Sequence, residues 1–76
     1  MKTYEIFDVN RPLMDANVLI SGISPIDAVR RYLKSIGCER QPKRSGDNYV
    51  QISAREYITR DGTKYYKGNT QWYKLI

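Results

Sequence analysis

The stretch SPIDAVRRYLKSIG, residues 24 to 37, is the clearest structural signal in the sequence. Ser24 stands where a helix N-cap belongs, and Pro25 follows at the first helical position. Asp27 comes three residues after the cap, where its backbone N–H can donate to the serine oxygen. Gly37 is placed to end the helix in a left-handed conformation. These signals predict one helix between Ser24 and Gly37.

The predicted helix has one apolar face and one basic face. Positions i, i+3, i+4 and i+7 hold Val29, Tyr32, Leu33 and Ile36, and Ile26 extends this stripe. The other side holds Arg30, Arg31 and Lys34. An apolar stripe of this kind must be buried against another element. The remaining sequence predicts that this element is a sheet.

Four segments outside the helix predict strands, because they are rich in β-branched and aromatic residues or alternate between apolar and polar positions. They are residues 3–9, 16–22, 49–58 and 64–76. Asp61 and Gly62 form a hairpin-turn signal between the last two segments. Gly68 and Asn69 interrupt the last segment and predict a bulge or two shorter strands. Residues 38–48 have no apolar periodicity and are predicted to form a loop.

The order of these elements predicts an α+β fold, β-β-α-β-β, in a single domain over residues 1–76. A single helix packed on one face of a four-stranded antiparallel sheet is the economical arrangement. The helix stripe and one strand face form the predicted core, and that strand face holds Val50, Ile52, Ala54 and Ile58. The opposite face of the same strand holds Tyr49, Gln51, Ser53, Arg55 and Tyr57.

The charge of the chain is unevenly distributed. The net charge is +5, but residues 1–27 carry two basic and four acidic side chains, whereas residues 28–76 carry eleven basic and four acidic ones. Such asymmetry indicates an anionic partner, usually a nucleic acid or a membrane surface. The partners that we expect are a nucleic acid or an acidic protein. A basic surface that is only solvated is the alternative.

The residues favour a binding role over catalysis, and we expect no enzyme activity, cofactor or metal site. The chain contains no histidine, the residue used most often for proton transfer at neutral pH. Cys38 is the only cysteine, so an intramolecular disulfide is impossible. It also follows a helix C-terminus, where the dipole opposes thiolate formation. Neither a glycine-rich phosphate loop nor a cluster of metal-binding side chains is evident.

Two surfaces are candidates for nucleic-acid binding. The first is a basic patch on the helix and the segment after it, formed by Arg30, Arg31, Lys34, Arg40, Lys43 and Arg44. The second is an aromatic sheet face, on which we expect Tyr49, Gln51, Arg55 and Tyr57. The last strand is expected to add Tyr65 or Tyr66, Trp72 or Tyr73, and Lys64, Lys67 and Lys74. Basic groups meet phosphates and aromatic rings stack on bases, so both surfaces have suitable chemistry.

A second interpretation of the sheet face involves protein alone. Cross-strand aromatic and basic pairs stabilise any solvated sheet face, and exposed tyrosines are common in homodimer interfaces. The oligomeric state, monomer or homodimer, stays open at this point. The N-terminal residues lack the apolar core of a signal peptide, and the longest apolar run is too short to span a bilayer. We therefore expect a cytoplasmic protein with no membrane partner.

One segment resembles a known family. The sequence VLISGISPIDAVRRYLKSI, residues 18–36, is followed by a predicted strand hairpin. It is similar to the partial double-stranded-RNA-binding-like fold of HicB-type antitoxin domains, in which a strand hairpin leads into a capped S-x-x-D/E-A helix. The resemblance implies a helix that packs back on the sheet. In length and style the chain also resembles small proteins of unknown function carried by conjugative transposons of Gram-positive bacteria, which implies a mobile-element origin.

Overall fold

A computed structural model gives the structure of the protein and describes residues 1–11, 18–45 and 51–76. Its elements are β1 (Lys2–Asp8), β2 (Val18–Gly22), α1 (Pro25–Ser35), β3 (Pro42–Arg44), β4 (Ile52–Arg60) and β5 (Thr63–Leu75). The strands form one sheet in the order β2-β1-β4-β5-β3, and every neighbouring pair is antiparallel. The predicted α+β class, with one helix on an antiparallel sheet, is confirmed.

The helix α1 begins and ends at the predicted signals. The Ser24 side chain accepts a hydrogen bond from the Asp27 backbone N–H at 3.2 Å. At the other end Gly37 has a φ of 74°, and Cys38 N–H donates to Leu33 O at 2.9 Å. Glycine tolerates this left-handed conformation because it has no Cβ. The capping residues therefore fix both ends of α1 locally.

The prediction of four strands is wrong by one. Pro42–Arg44, inside the segment predicted to be a loop, forms β3 and pairs with the end of β5. Gln41 and Ile76 extend the pairing through two backbone hydrogen bonds, of 3.1 and 2.9 Å. A strand of three residues is too short to show alternation in the sequence. Proline, which cannot donate to a ladder, is compatible with the first position of an edge strand.

The hairpin between β4 and β5 has the predicted turn and bulge. Asp61 and Gly62 have φ angles of 51° and 76°, the positive values that a tight hairpin turn requires. The register shifts between Ala54↔Gln71 and Glu56↔Lys67, which leaves extra residues on β5 around Gly68. Because β1 pairs with β4 only as far as Tyr57, the end of the hairpin projects beyond the rest of the sheet.

The core lies between α1 and one face of the sheet. Its buried members are Tyr4, Ile6, Ala28, Val29, Tyr32, Leu33, Ile52, Ala54, Tyr73 and Leu75. The predicted core residues of α1 are buried or half-buried in it. Ile58 is only half-buried, because it lies on the projecting part of the hairpin. Val50 lies outside the described residues.

Two contacts fix the position of α1 on the sheet. A Cβ on Gly22 would lie 2.9 Å from the Ala28 backbone nitrogen, so only glycine allows β2 and α1 to approach this closely. On the other side, Tyr32 Oη donates to Asp8 Oδ2 at 2.8 Å. Burial and, next, the bond to Asp8 raise the pKa of Tyr32 to about 12. A neutral tyrosine therefore ties α1 to the end of β1.

Candidate nucleic-acid interface

Four of the six predicted basic residues lie along one side of α1. We call Arg30, Lys34, Arg40 and Arg44 the basic seam. The first three line a cleft of about 390 Å³ between the end of α1 and the segment that leads into β3, together with Leu33, Cys38, Glu39 and Gln41. The helix stripe packs the opposite side of α1 into the core, which turns Arg30 and Lys34 towards this cleft.

The fourth seam residue, Arg44, lies on the edge strand β3. A second cleft, of about 330 Å³, is lined by Arg44, Pro25, Ile26, Gln71 and Tyr73. Burial raises the pKa of Tyr73, and the positive charges of Arg44 and Arg30 oppose that rise. Arg30 therefore lines the first cleft and Arg44 lines the second, and both positive charges act on Tyr73.

Within the described residues, no ion pair engages the arginine and lysine groups of the seam. The described parts of the chain contain two ion pairs, Lys2–Glu56 at 3.5 Å and Arg31–Asp27 at 3.1 Å, and no seam residue takes part in either. Arg40 donates one N–H to the Leu75 carbonyl oxygen, which anchors its guanidinium beside the cleft. An arginine has five N–H donors, and the described residues occupy only one of those of Arg40. Glu39 is the one carboxylate that lines the cleft.

The other two predicted basic residues point away from the seam. Arg31 pairs with Asp27, one turn earlier on α1, and the same carboxylate accepts the Ile23 backbone N–H at 3.0 Å. Lys43 lies opposite Lys74, next to Arg44 on β3. Successive strand residues face opposite sides, so Lys43 is on the sheet face that α1 does not cover. We call this side the open face.

The open face carries Arg55 and Tyr57, as predicted, within a network of cross-strand contacts. Arg55 places its guanidinium carbon 4.5 Å from the Tyr66 ring centroid, and its Nε donates to Gly68 O at 3.2 Å. The Tyr66 hydroxyl donates to the carboxylate of Glu5, with both oxygens at 3.0 Å. This hydrogen bond is the main reason why the pKa of Tyr66 is raised. Tyr57 packs edge-on against Tyr66 and is only 9% exposed.

The other residues that were predicted to lie on the open face do not all lie there. Gln51 uses its side-chain oxygen to accept the Leu75 backbone N–H at 2.5 Å, which closes the end of the sheet. Tyr49 lies outside the described residues. Register places Tyr66 and Trp72 on the open face, and Tyr65 and Tyr73 on the helix side.

Phe7 is an open-face residue that the sequence prediction did not include. In the sheet register Phe7 on β1 lies opposite Ser53 on β4, and Ser53 lies opposite Trp72 on β5. Phe7 and Trp72 are 45% and 38% exposed. The alternation of residues 3–9 with a period of two could have predicted this position. It places Phe7 on the sheet face opposite to the one that holds the buried Ile6.

Neither a metal cluster nor a membrane-spanning helix occurs in the described part of the chain. No group of three or more histidine, cysteine, aspartate or glutamate side chains comes together in them to hold a metal ion. None of their helices combines the length and hydropathy needed to cross a membrane. Comparison of the chain with protein-family models, curated proteins and solved structures found no match. The resemblance to HicB-type domains and to transposon-borne proteins therefore stays a prediction.

Proposed function

We propose that this protein is a non-enzymatic nucleic-acid-binding module whose basic seam contacts the phosphate backbone. One observation carries the proposal: the seam cations come from a helix, a connecting segment and an edge strand, yet they line two clefts beside α1, and Arg30 and Arg44 both act on Tyr73. No ion pair within the described residues neutralises them. Assembly of like charges is electrostatically unfavourable unless an anion or solvent compensates it. A phosphate backbone supplies regularly spaced negative charge that can do so.

The geometry of the seam favours backbone contacts over reading of base edges. Arg30 and Lys34 are one helical turn apart, roughly 6 Å along the axis. Arg40 and Arg44 follow beside them on the edge of the sheet. Contacts of this kind position a protein on nucleic acid and carry no sequence information. We therefore expect binding that is weakly sequence-dependent and strongly salt-dependent.

Fluorescence anisotropy of a labelled oligonucleotide, measured between about 50 and about 200 mM salt, tests the proposal. Simultaneous replacement Arg30→Gln and Lys34→Gln removes two phosphate contacts. The slope of log affinity against log salt concentration should then fall by about 1.4 for a single strand, or about 1.8 for a duplex. Affinity at the lower salt concentration should fall as well.

Arg31→Gln is the matched control, because it removes the same charge from the adjacent position of the same helix. Arg31 is paired with Asp27 and points away from the seam, so its replacement should leave most of the affinity and the salt slope intact. The absence of binding at low salt would refute the proposal. Equal losses from Arg31→Gln and from Arg30→Gln alone would show that net charge, and no defined seam, drives binding.

A second candidate function is protein–protein interaction through the open face, as a homodimer or with another partner. The observation that favours it is a set of three exposed apolar side chains on this face, Leu19, Phe7 and Trp72, which are 48%, 45% and 38% exposed. Exposed apolar side chains on one face are often part of an interface core. Sedimentation equilibrium tests self-association directly, and Phe7→Asp should abolish any dimer that these side chains form.

A further inference from the structure

The open face carries two exposed aromatic residues whose rings make no ring or cation contact with other described residues. Phe7 on β1 and Trp72 on β5 lie on either side of Ser53 on β4. Neighbouring strands are about 4.8 Å apart, so the two aromatic residues are separated by roughly 10 Å at the backbone. Their side chains flank a serine that is only 5% exposed, whereas both aromatic residues remain well exposed. We call Phe7 and Trp72 the platform.

The platform differs from the tyrosines on the same face. The ring of Tyr66 lies under the Arg55 guanidinium, and its hydroxyl is bound to Glu5. Tyr57 is nearly buried. In the described residues, no ring or cation contact occupies Phe7 or Trp72. Among the described aromatic residues of the open face, these two are therefore the ones whose ring surfaces can accept a planar ligand.

The surroundings of the platform are basic. Lys74 follows Trp72 by two residues on the same face of β5, and Lys43 lies directly opposite Lys74 on β3. Register places Arg55 and Lys64 on this face as well. Of the described residues on this side of the sheet, Glu5 is the one carboxylate, and it is already hydrogen-bonded to Tyr66. An aromatic surface bordered by cations matches a nucleobase attached to a phosphate chain.

We propose that the ligand is single-stranded nucleic acid, with bases stacked on Phe7 and Trp72 and the backbone crossing the β3 edge to the basic seam. This inference rests on the proposed function and names its substrate class. Lys43 and Arg44 are adjacent on β3 but face opposite sides of the sheet, so the edge strand connects the platform to the seam. A duplex is stiff over about 150 base pairs and cannot turn around such an edge. A single strand can bend around it and present unpaired bases.

The fluorescence of Trp72 provides the test, because the chain contains only one tryptophan. Titration of the full chain with oligo-dT should quench this emission and protect it from acrylamide, whereas a duplex of equal length should not. Phe7→Ala should weaken binding of oligo-dT on the order of tenfold, the effect of losing one stacked base. Tyr65→Ala is the matched control, because Tyr65 is 49% exposed on the opposite face, and its replacement should not change affinity.

The possible outcomes separate this inference from the proposed function. If anisotropy reports binding that depends on the seam while Trp72 emission is unchanged, the platform is refuted and the proposed function stands. Equal quenching by duplex and single strand would refute the single-stranded class. If neither method detects binding, both proposals fail. A Trp72 signal that changes with protein concentration alone, together with dimers in sedimentation, would assign the platform to self-association and refute its role in stacking.

Discussion

The two faces of the sheet are built in different ways. The face under α1 is sealed by large apolar side chains, and its principal polar contact, between Tyr32 and Asp8, is buried. The open face is held by contacts that reach solvent, such as Arg55 over Tyr66. Burial makes side chains on the first face costly to change. On the second face, exposed contacts contribute little to stability, so residues there can be used for binding.

The largest effect is expected from truncation in the covered face. Ile52 is fully buried, so Ile52→Ala should lower the free energy of unfolding by about 3 kcal/mol through lost contacts and the cavity that remains. Phe7→Ala, a larger truncation on the open face, should cost less than about 1 kcal/mol because Phe7 is already 45% exposed. Urea unfolding followed by circular dichroism measures both. Equal losses of unfolding free energy in the two variants would show that the open face is also a buried core.

An intermediate effect is expected from the buried contact between Tyr32 and Asp8. Tyr32→Phe keeps the ring but removes the donor to Asp8, and should cost about 2 kcal/mol at pH 8. Because the folded state raises the pKa of Tyr32 from 10.0 to about 12, this stabilisation is complete below pH 10 and is lost as the pH rises to 12. The stability gap between wild type and Tyr32→Phe should therefore narrow across that interval. A gap that is constant up to pH 12 would contradict this assignment.

The smallest effect is expected from the open-face network. Arg55→Gln removes the cation from the Tyr66 ring and should destabilise the protein by about 0.5 kcal/mol, a value typical of exposed cross-strand and cation–π pairs. Arg55→Lys, which keeps the charge, serves as the control. Thermal unfolding of the three proteins gives the comparison. A loss as large as that of Ile52→Ala would mean that this network holds the fold together.

Local signals made much of this fold predictable. The caps of α1, the Asp61–Gly62 turn and the bulge near Gly68 each depend on a residue type with a specific conformational property. Alternation along β4 separated Ile52 and Ala54 from Ser53 and Arg55. These features are encoded within a few residues, so a single sequence reveals them.

The remaining features depend on contacts between distant segments. Residues 42–44 form a strand because the chain returns there to the end of β5. Three residues are too few to show the apolar alternation of a strand in the sequence. The separation of the basic residues into seam and other positions has the same origin. Arg31 lies outside the seam because it pairs with Asp27. Lys43 lies on the open face, unlike Arg44, because successive residues of the strand β3 face opposite sides. The Phe7–Trp72 platform joins residues far apart in the chain. Composition predicted a basic, aromatic protein but could not locate its surfaces.

The edge strand β3 also limits how the sheet can grow. Its proline lacks a backbone N–H, and its lysine and arginine project on both sides, two devices that discourage another strand from adding to an edge. The opposite edge is β2, whose residues Val18–Gly22 include neither a charge nor a proline. If copies of the chain add strand to strand, we therefore expect them to pair through β2. Two paired β2 edges would leave only the β3 edges, which discourage further addition, so such an assembly would close at two chains.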